Sequence, residues 1–296
     1  MKVVIFGRSG QVGAELQRAL RPFGEVVAAG RRDADFARPD ALRAFLATCA
    51  PDAIVNAAAY TQVDKAEEEP ELARTVNVES VGVLAEYARA SGIWLIHYST
   101  DYVFDGVATS PYVEDDATNP LSVYGLTKRD GEVAITASGC HHLIFRTSWL
   151  HAPHGANFIA TILQLAQTRT KLRVVADQFG APTGADLVAD VTTRALRCAL
   201  AGNVPTGIYH LTCTGSTNWH GYARYLLQIA SACGAKLSCS PDAINPLTSA
   251  EYGARAPRPH NSRLDTTKLV RQFGVTLPNW RDGVQRTVHA LIGKAT

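Results

Sequence analysis

A phenol and an amine four residues apart form the pair with the clearest chemical potential. Tyr124 and Lys128 flank Gly125-Leu126-Thr127, and residues four apart share one face of a helix. We expect the Thr100 hydroxyl, at the end of an apolar segment, to meet them there. A phenol that donates a proton, beside a cation that stabilises its phenolate, suits acid catalysis on a carbonyl. Because such a spacing also arises by chance in helices, its interpretation depends on the surrounding elements.

A glycine-rich turn lies close to the N-terminus. Gly7, Gly10 and Gly13 are spaced G-x-x-G-x-x-G between an apolar strand-like run, 2–6, and a helical pattern over 12–20. Such glycines allow a tight turn and a close approach of the backbone to a pyrophosphate, which then faces the helix N-terminus. The turn therefore predicts a dinucleotide site.

Two arginines follow the second predicted strand, 25–29, where dinucleotide-binding domains distinguish NAD from NADP. An acidic residue there bonds the ribose 2′-hydroxyl, whereas an arginine accommodates a 2′-phosphate. Arg31 and Arg32 favour NADPH, and Asp33 would serve NADH if the strand ended later. We predict NADPH as the cofactor, with NADH as the alternative.

Strand-like and helix-like patterns alternate through residues 1–150. The strands are continuous apolar runs, as in buried parallel sheets, so we predict an α/β fold with a doubly wound, Rossmann-like parallel sheet. A long helix is expected over 71–89. After residue 150 the helices are separated by polar loops, and 241–263 shows little periodicity. We assign 1–150 to dinucleotide binding, with later segments returning to it, and 151–296 mainly to a smaller substrate-binding cap.

Composition excludes several classes of protein. The 296 residues carry 29 basic and 27 acidic side chains, a net charge of +2. This small net charge does not indicate a protein that binds nucleic acid. No apolar run has the length of a membrane span, and residues 1–6 resemble a strand rather than a signal sequence. The six cysteines form no C-x-x-C pair, and they are interpreted as reduced thiols of a cytoplasmic protein.

Longer motifs carry a family resemblance. With the glycine turn and the Thr-Tyr-Lys set in place, the chain resembles the extended short-chain dehydrogenase/reductases, and within them the dTDP-4-dehydrorhamnose reductase family. The motifs that match are Gly10-Gln11-Val12-Gly13, the stretch 56–67 beginning Asn56-Ala57-Ala58-Ala59-Tyr60, the stretch 99–106 beginning Ser99-Thr100-Asp101-Tyr102, Phe145-Arg146-Thr147-Ser148-Trp149, Asp177-Gln178-Phe179-Gly180-Ala181-Pro182-Thr183 and Arg258-Pro259-His260-Asn261-Ser262.

The resemblance implies a reaction and three catalytic roles. The family reduces the C4 keto group of dTDP-4-dehydro-L-rhamnose to dTDP-L-rhamnose with a nicotinamide cofactor, the last step of dTDP-rhamnose biosynthesis. Tyr124 would donate a proton to the sugar oxygen, and Lys128 would favour the phenolate and hold the nicotinamide ribose. Thr100 would donate a hydrogen bond to the carbonyl oxygen, the assistance an oxyanion needs.

The same resemblance implies binding residues for cofactor and nucleotide sugar. It places Gly10, Gln11 and Val12 along the cofactor pyrophosphate, and Thr100, Asp101 and Trp149 against the sugar. Arg258 would bond the pyrophosphate of the nucleotide sugar, because its fork can reach two oxygens at once. The adenosine half of the cofactor would lie along Asp35, Phe36, Ala58, Ala59 and Tyr60.

Some members of the family dimerise around a magnesium ion held by carboxylates. Glu15 matches one such position, Asp186 replaces a glutamate at another, and Ala290 occupies a third acidic position. This incomplete set disfavours Mg²⁺, so we assign no metal residue and keep a homodimer as one possible assembly.

Two other functions fit the same scaffold. The regulatory subunit of methionine adenosyltransferase shares much of the motif pattern and acts as a binding partner, which the intact Thr100, Tyr124 and Lys128 argue against. Nucleotide-sugar epimerases and dehydratases share the fold as well. Dehydratases commonly place an Asp-Glu pair after the Thr, whereas Asp101 is followed here by Tyr102.

Overall fold

Six parallel strands form the central sheet in a computed structural model that describes residues 1–293. The sheet order is β2-β1-β3-β4-β5-β10, and every neighbouring pair is parallel. The strands are β1 (Lys2–Phe6), β2 (Glu25–Ala29), β3 (Ala53–Asn56), β4 (Trp94–Thr100), β5 (His142–Thr147), β6 (Leu150–His151), β7 (Leu172–Val175), β8 (Phe179–Gly180), β9 (Thr183–Gly184), β10 (Gly207–His210), β11 (Thr217–Asn218) and β12 (Ile244–Leu247).

Helices cover both faces of this sheet, so the predicted doubly wound fold is confirmed. None of the helices within residues 1–293 is long and apolar enough to cross a membrane. The helices are α1 (Gln11–Ala19), α2 (Pro39–Cys49), α3 (Val63–Ala66), α4 (Pro70–Arg74), α5 (Ser80–Ser91), α6 (Val123–Ser138), α7 (Phe158–Thr168), α8 (Ala185–Leu200), α9 (Trp219–Ala232), α10 (Ser249–Tyr252), α11 (Thr267–Phe273) and α12 (Trp280–Ile292).

Alternate strand residues supply the two cores of the sheet. Val3 and Ile5 pack with α1 and α8 on one face, whereas Val4 and Phe6 pack with α2 and α5 on the other. Both sets are fully buried, which is why these strands are apolar without alternation.

Segments after residue 150 take part in two cores. Helix α8 packs on α1, and β10 extends the sheet beside β5. A separate apolar core joins α7, β7, α9, β12 and α12. These elements form a core separate from those on the two faces of the sheet, and we call the unit around it the cap.

Two elements differ from the sequence-based expectation. The helix expected over 71–89 contains a π-helical turn, Thr75–Glu79, between α4 and α5. The segment 241–263, expected as one long loop, begins with a 3₁₀ turn, Pro241–Ala243, and continues into β12 and α10. Strand β12 lies parallel to β7, a pairing distant in sequence that no local pattern reveals.

Candidate active site

The cofactor cleft lies where the strand order reverses, between the carboxyl ends of β1 and β3, the place where open α/β sheets bind ligands. Gly7 has φ +86°, and a Cβ there would lie 2.6 Å from the carbonyl oxygen of Ala57. At Gly13 a Cβ would lie 2.1 Å from the Gly7 oxygen. Only glycine therefore fits at these two positions, and its absence of a side chain brings α1 and the β3 end against the turn.

The cleft has a volume of about 560 Å³. It extends along the glycine turn and along the loop that follows β3. Ten of the predicted cofactor residues line it: Gly7, Gly10, Gln11, Val12, Arg31, Asp35, Phe36, Ala58, Ala59 and Tyr60. Other lining residues had no predicted role, among them Ser9, Ala34, Leu150, Gly155 and Ala156.

Charged groups gather at the end of β2. Arg31 lines the cleft, and both Arg31 and Arg32 are exposed. The Asp33 carboxylate accepts from the Gly30 amide at 2.9 Å and pairs with Arg8 at 3.0 Å. Because the Asp33 carboxylate is already paired, the exposed charges at the end of β2 are mainly positive. Arg8, the partner of Asp33, had no predicted role.

The π-helical turn connects the cofactor loop to α6. Asn77, within that turn, accepts from the Tyr60 amide at 2.9 Å and donates to the Thr127 hydroxyl at 3.1 Å. Gly131 of α6 packs against the same turn, since a Cβ at this position would lie 2.3 Å from the backbone carbonyl oxygen of Asn77. The widened turn thus sets Tyr60 and α6 in register.

Thr100 and Tyr124 lie close together at the carboxyl end of β4, and Lys128 lies one turn further along α6. Thr100 ends β4, and its hydroxyl is close enough to the phenol of Tyr124, in the first turn of α6, to affect the pKa of that phenol. Burial raises the pKa of Tyr124 to about 12, with a smaller upward contribution from Asp101 and a lowering one from Thr100. The phenol is consequently protonated at neutral pH and can act as a proton donor.

Gly125 explains how close α6 comes to Thr100. A Cβ at Gly125 would lie 2.2 Å from the carbonyl oxygen of Tyr102. Ser122 caps the helix by accepting from the Gly125 amide at 3.2 Å, and Glu67 accepts from the Val123 amide at 2.8 Å. The start of α6 is therefore held by its own cap and by a carboxylate from the segment after α3.

Lys128 is almost fully buried behind the site. Its Nζ donates to the backbone carbonyl oxygen of Tyr98 at 2.7 Å and lies 3.1 Å from His97 Nε2. Burial lowers the pKa of Lys128 to about 8, although Glu132 acts in the opposite direction. The amine can therefore change its charge close to neutral pH.

Asp101 is a buried carboxyl beside the hydroxyl of Thr100. Thr100 Oγ1 donates to Asp101 Oδ1 at 3.0 Å, whereas Asp101 Oδ2 is buried with no hydrogen-bond partner among the described residues. Burial raises the pKa of Asp101 to about 6, and the nearby side chains of Ser262 and Thr100 offset part of that rise. Because Ser262 belongs to the Arg258-to-Ser262 motif, the cap loop contributes to this part of the site.

Asp101→Asn tests this burial. Between pH about 4 and about 6 the unfolded carboxyl ionises first, so the wild-type protein loses stability as the pH rises. The amide has no such loss, so its free energy of unfolding relative to wild type should increase by up to about 3 kcal/mol from pH 4 to pH 7. Denaturant unfolding at the two pH values measures this. A difference independent of pH would contradict the buried, protonated carboxyl.

Arg258 joins the cap to the segment after β3. Its guanidinium binds both carboxylate oxygens of Asp64, at 3.2 and 2.7 Å, and donates to the Ala256 oxygen. Burial raises the pKa of the nearby Tyr102, and the Arg258 charge acts against that rise. The predicted phosphate-binding fork is thus engaged with Asp64 beside the catalytic segment.

Trp149 has a backbone conformation unusual for a large side chain, with φ +47°. Its indole stacks on Trp219 at 3.7 Å, and a Cβ at Gly180 would lie 2.6 Å from the ring. Thr147 ends β5 and pairs with Thr100, the last residue of β4. Trp149 therefore lies two residues beyond the end of β5. Its ring joins the aromatic core of the cap.

The carboxylates considered for magnesium lie in ion pairs. Glu15 is 3.5 Å from Arg18, and Asp186 is 3.0 Å from Arg286. Residues 1–293 contain no group of three or more His, Cys, Asp or Glu side chains arranged to hold a metal ion.

Comparisons with known proteins agree with this architecture. The family model described as RmlD substrate binding domain matches residues 1–292. The dTDP-4-dehydrorhamnose reductase of Escherichia coli (strain K12) is 46% identical over 295 residues, 98% of each chain. The crystal structure of such a reductase from Clostridium acetobutylicum has a TM-score of 0.89 at 32% identity, covering 99% of this chain and 100% of that one. The Bacillus anthracis reductase, crystallised in complex with NADP, has a TM-score of 0.87 at 31% identity, covering 97% and 98%. The chain therefore belongs to the dTDP-4-dehydrorhamnose reductase family.

Proposed function

We propose that the protein reduces the C4 keto group of dTDP-4-dehydro-L-rhamnose to dTDP-L-rhamnose with NADPH. The observation that carries this proposal is the placement of Thr100, Tyr124 and Lys128 at the end of β4 and along α6, while the glycine turn and the cleft lie at the carboxyl ends of β1 and β3 in the same parallel sheet. The names of the relatives supply the substrate. The coarser conclusion, a reductase of the dTDP-rhamnose route, follows from family membership.

The residues of the cleft fit a nicotinamide dinucleotide. Gly7 and Gly13 leave no side chain between the turn and its neighbours, and the N-terminus of α1 at Gln11 offers unpaired backbone N–H groups to a pyrophosphate. Arg31 and Arg32 suit a 2′-phosphate. When bound, the dinucleotide supplies the hydride that attacks the sugar carbonyl carbon.

Tyr124 supplies the proton for the sugar oxygen. Negative charge grows on that oxygen as the carbonyl is reduced, and the phenol carries a proton at neutral pH that it can donate. Burial raises the pKa of Tyr124 to about 12, which makes the phenol a weaker acid, so transfer depends on stabilisation of the phenolate. Thr100 can donate a hydrogen bond to the carbonyl oxygen once its hydroxyl exchanges Asp101 Oδ1, to which it donates at 3.0 Å, for the ligand. The Lys128 ammonium, one helical turn from Tyr124, makes the phenolate left behind less unfavourable.

Asp101, Trp149 and Arg258 are proposed for the sugar and its diphosphate. Asp101 adjoins Thr100, and Trp149 follows the strand next to it. For Arg258 to bind a phosphate it would exchange its Asp64 contact for the ligand. Fully bidentate phosphate binding is then coupled to release of Asp64.

A purified-protein assay tests the proposal. NADPH absorbance should fall when dTDP-4-dehydro-L-rhamnose is added, and the sugar product should be dTDP-L-rhamnose. A non-catalytic binding protein of the methionine adenosyltransferase type would leave the absorbance constant. An epimerase or dehydratase would change the sugar without net consumption of NADPH.

Replacing Arg31 and Arg32 by Ala should weaken NADPH binding about 10- to 100-fold, the loss expected for one or two charge-assisted hydrogen bonds, and NADH binding much less. Titration of each cofactor against protein fluorescence measures the two Kd values. Arg21→Ala removes an exposed charge beside the opposite end of β2 and serves as the control. Equal weakening of NADPH and NADH by the double change would refute the assignment to the 2′-phosphate.

A further inference from the structure

Three buried polar side chains form a continuous row behind the catalytic helix. Asn56 Nδ2 lies 3.0 Å from His97 Nδ1, and His97 Nε2 lies 3.1 Å from Lys128 Nζ. Each of the three residues is at most 2% exposed. Neither the sequence nor the proposed mechanism has given His97 a role.

The orientation of the Asn56 amide is determined by the backbone. The Ala58 N–H donates to Asn56 Oδ1 at 3.0 Å, and a backbone N–H can only donate. The oxygen of the amide must therefore face Ala58. The NH₂ group of Asn56 then faces His97 Nδ1 as a donor.

The proton of His97 is placed by this contact. Burial and the neighbouring Lys128 charge hold the pKa of His97 well below its usual value, so the ring is neutral. A neutral imidazole has one N–H and one acceptor nitrogen. Because Nδ1 accepts from Asn56, the hydrogen lies on Nε2 and points at Lys128.

We propose that His97 is a positioning residue whose Nε2–H favours the uncharged amine of Lys128 over the ammonium. An ammonium has three donors and no acceptor, whereas an amine has a lone pair that can accept the Nε2–H. Lys128 Nζ still donates to the Tyr98 oxygen in either form. Only the uncharged amine satisfies both contacts.

Other groups near Lys128 act with or against His97. Glu132 lies one turn further on α6 and favours the ammonium, but Arg146 from β5 binds both oxygens of that carboxylate. Burial disfavours the ammonium. His97, on β4, disfavours the ammonium further, because its Nε2–H points at Lys128 Nζ.

The consequence for the reduction rests on the proposed function. In that reduction the Lys128 ammonium stabilises the phenolate, so kcat should fall as the pH rises through the pKa of Lys128, about 8. His97 would therefore set the upper pH limit of kcat through Lys128. Both measurements below need no substrate, so their failure and a failure of the proposed reduction are distinguishable.

The tautomer of His97 tests the proposal in the wild-type protein. Two-bond ¹H–¹⁵N NMR correlations on ¹⁵N-histidine-labelled protein distinguish the two neutral forms, with His97→Phe used only to assign the signal. We expect the Nε2–H form. The Nδ1–H form would make Nε2 an acceptor for Lys128 and would overturn the proposal.

The pKa of Lys128 supplies the second test. In protein with ¹³C-labelled lysine, assigned with Lys128→Met, His97→Phe should raise the pKa of Lys128 by about one unit, because the opposing N–H is gone. His142→Phe is the matched control, since His142 is buried on β5 and contacts the Cys140 oxygen instead; it should leave the Lys128 titration unchanged. A fall or no change with His97→Phe would overturn the proposal.

Discussion

Tyr124→Phe should lower kcat about 100- to 10,000-fold, the usual contribution of a positioned general acid, while the Kd for NADPH stays nearly constant. The change removes only the hydroxyl. The ring still packs edge-on against Tyr102, whose centroid lies 5.9 Å away. Steady-state kinetics with the dTDP-4-keto sugar and a separate cofactor titration measure the two quantities.

Tyr209→Phe is the control for this change. Tyr209 also loses a hydrogen-bonded hydroxyl, which contacts the Pro205 oxygen at 2.9 Å, but it lies on β10 at the edge of the sheet. Its kcat should remain close to that of the wild type. Near-normal turnover by Tyr124→Phe would remove Tyr124 from the role of proton donor.

Glu132→Ala should lower the free energy of unfolding by about 3–5 kcal/mol, the penalty of leaving a buried charge without its partner. Arg146 donates to both oxygens of Glu132, at 2.9 and 2.7 Å, and the two side chains are 3% and 4% exposed. After the change, the Arg146 guanidinium still donates to the backbone carbonyl oxygen of Glu114 and still lies over the ring of Phe104. Denaturant unfolding measures the loss.

Two variants isolate the buried pair. Asp130→Ala removes a carboxylate from the same helix, but its partner Arg129 is one-third exposed, so the loss should stay below about 1 kcal/mol. The double variant Glu132→Leu/Arg146→Met replaces the pair by apolar side chains and should recover most of the stability. A loss as small for Glu132→Ala as for Asp130→Ala would contradict the proposed role of the pair.

Local patterns predicted the parallel sheet, and ten residues predicted for the cofactor line one cleft. Strand β1 was predicted at its observed bounds, 2–6, because a strand buried on both faces appears as a continuous apolar run. The glycines of the first turn are required by backbone geometry, as Gly7 and Gly13 show. Features of this kind depend on residues close together in the sequence, so they can be predicted without knowledge of the fold.

Other features depend on contacts between distant segments. His97 lies within an apolar strand, and nothing nearby indicates that it meets Lys128 31 residues later. Asn77 resembles any polar helix residue, although it links Tyr60 to α6. The pairing of Asp33 with Arg8 spans two βα turns. Such buried polar contacts have no periodic signal, so only the fold reveals them.

Transfer of deuterium from NADPH labelled at the transferred position tests the central claim most directly. The purified protein is incubated with this cofactor and dTDP-4-dehydro-L-rhamnose, and the product is analysed by NMR. The proposed reduction predicts one deuterium at C4 of the sugar in dTDP-L-rhamnose. Turnover with no deuterium at C4, or no turnover at all, would contradict it.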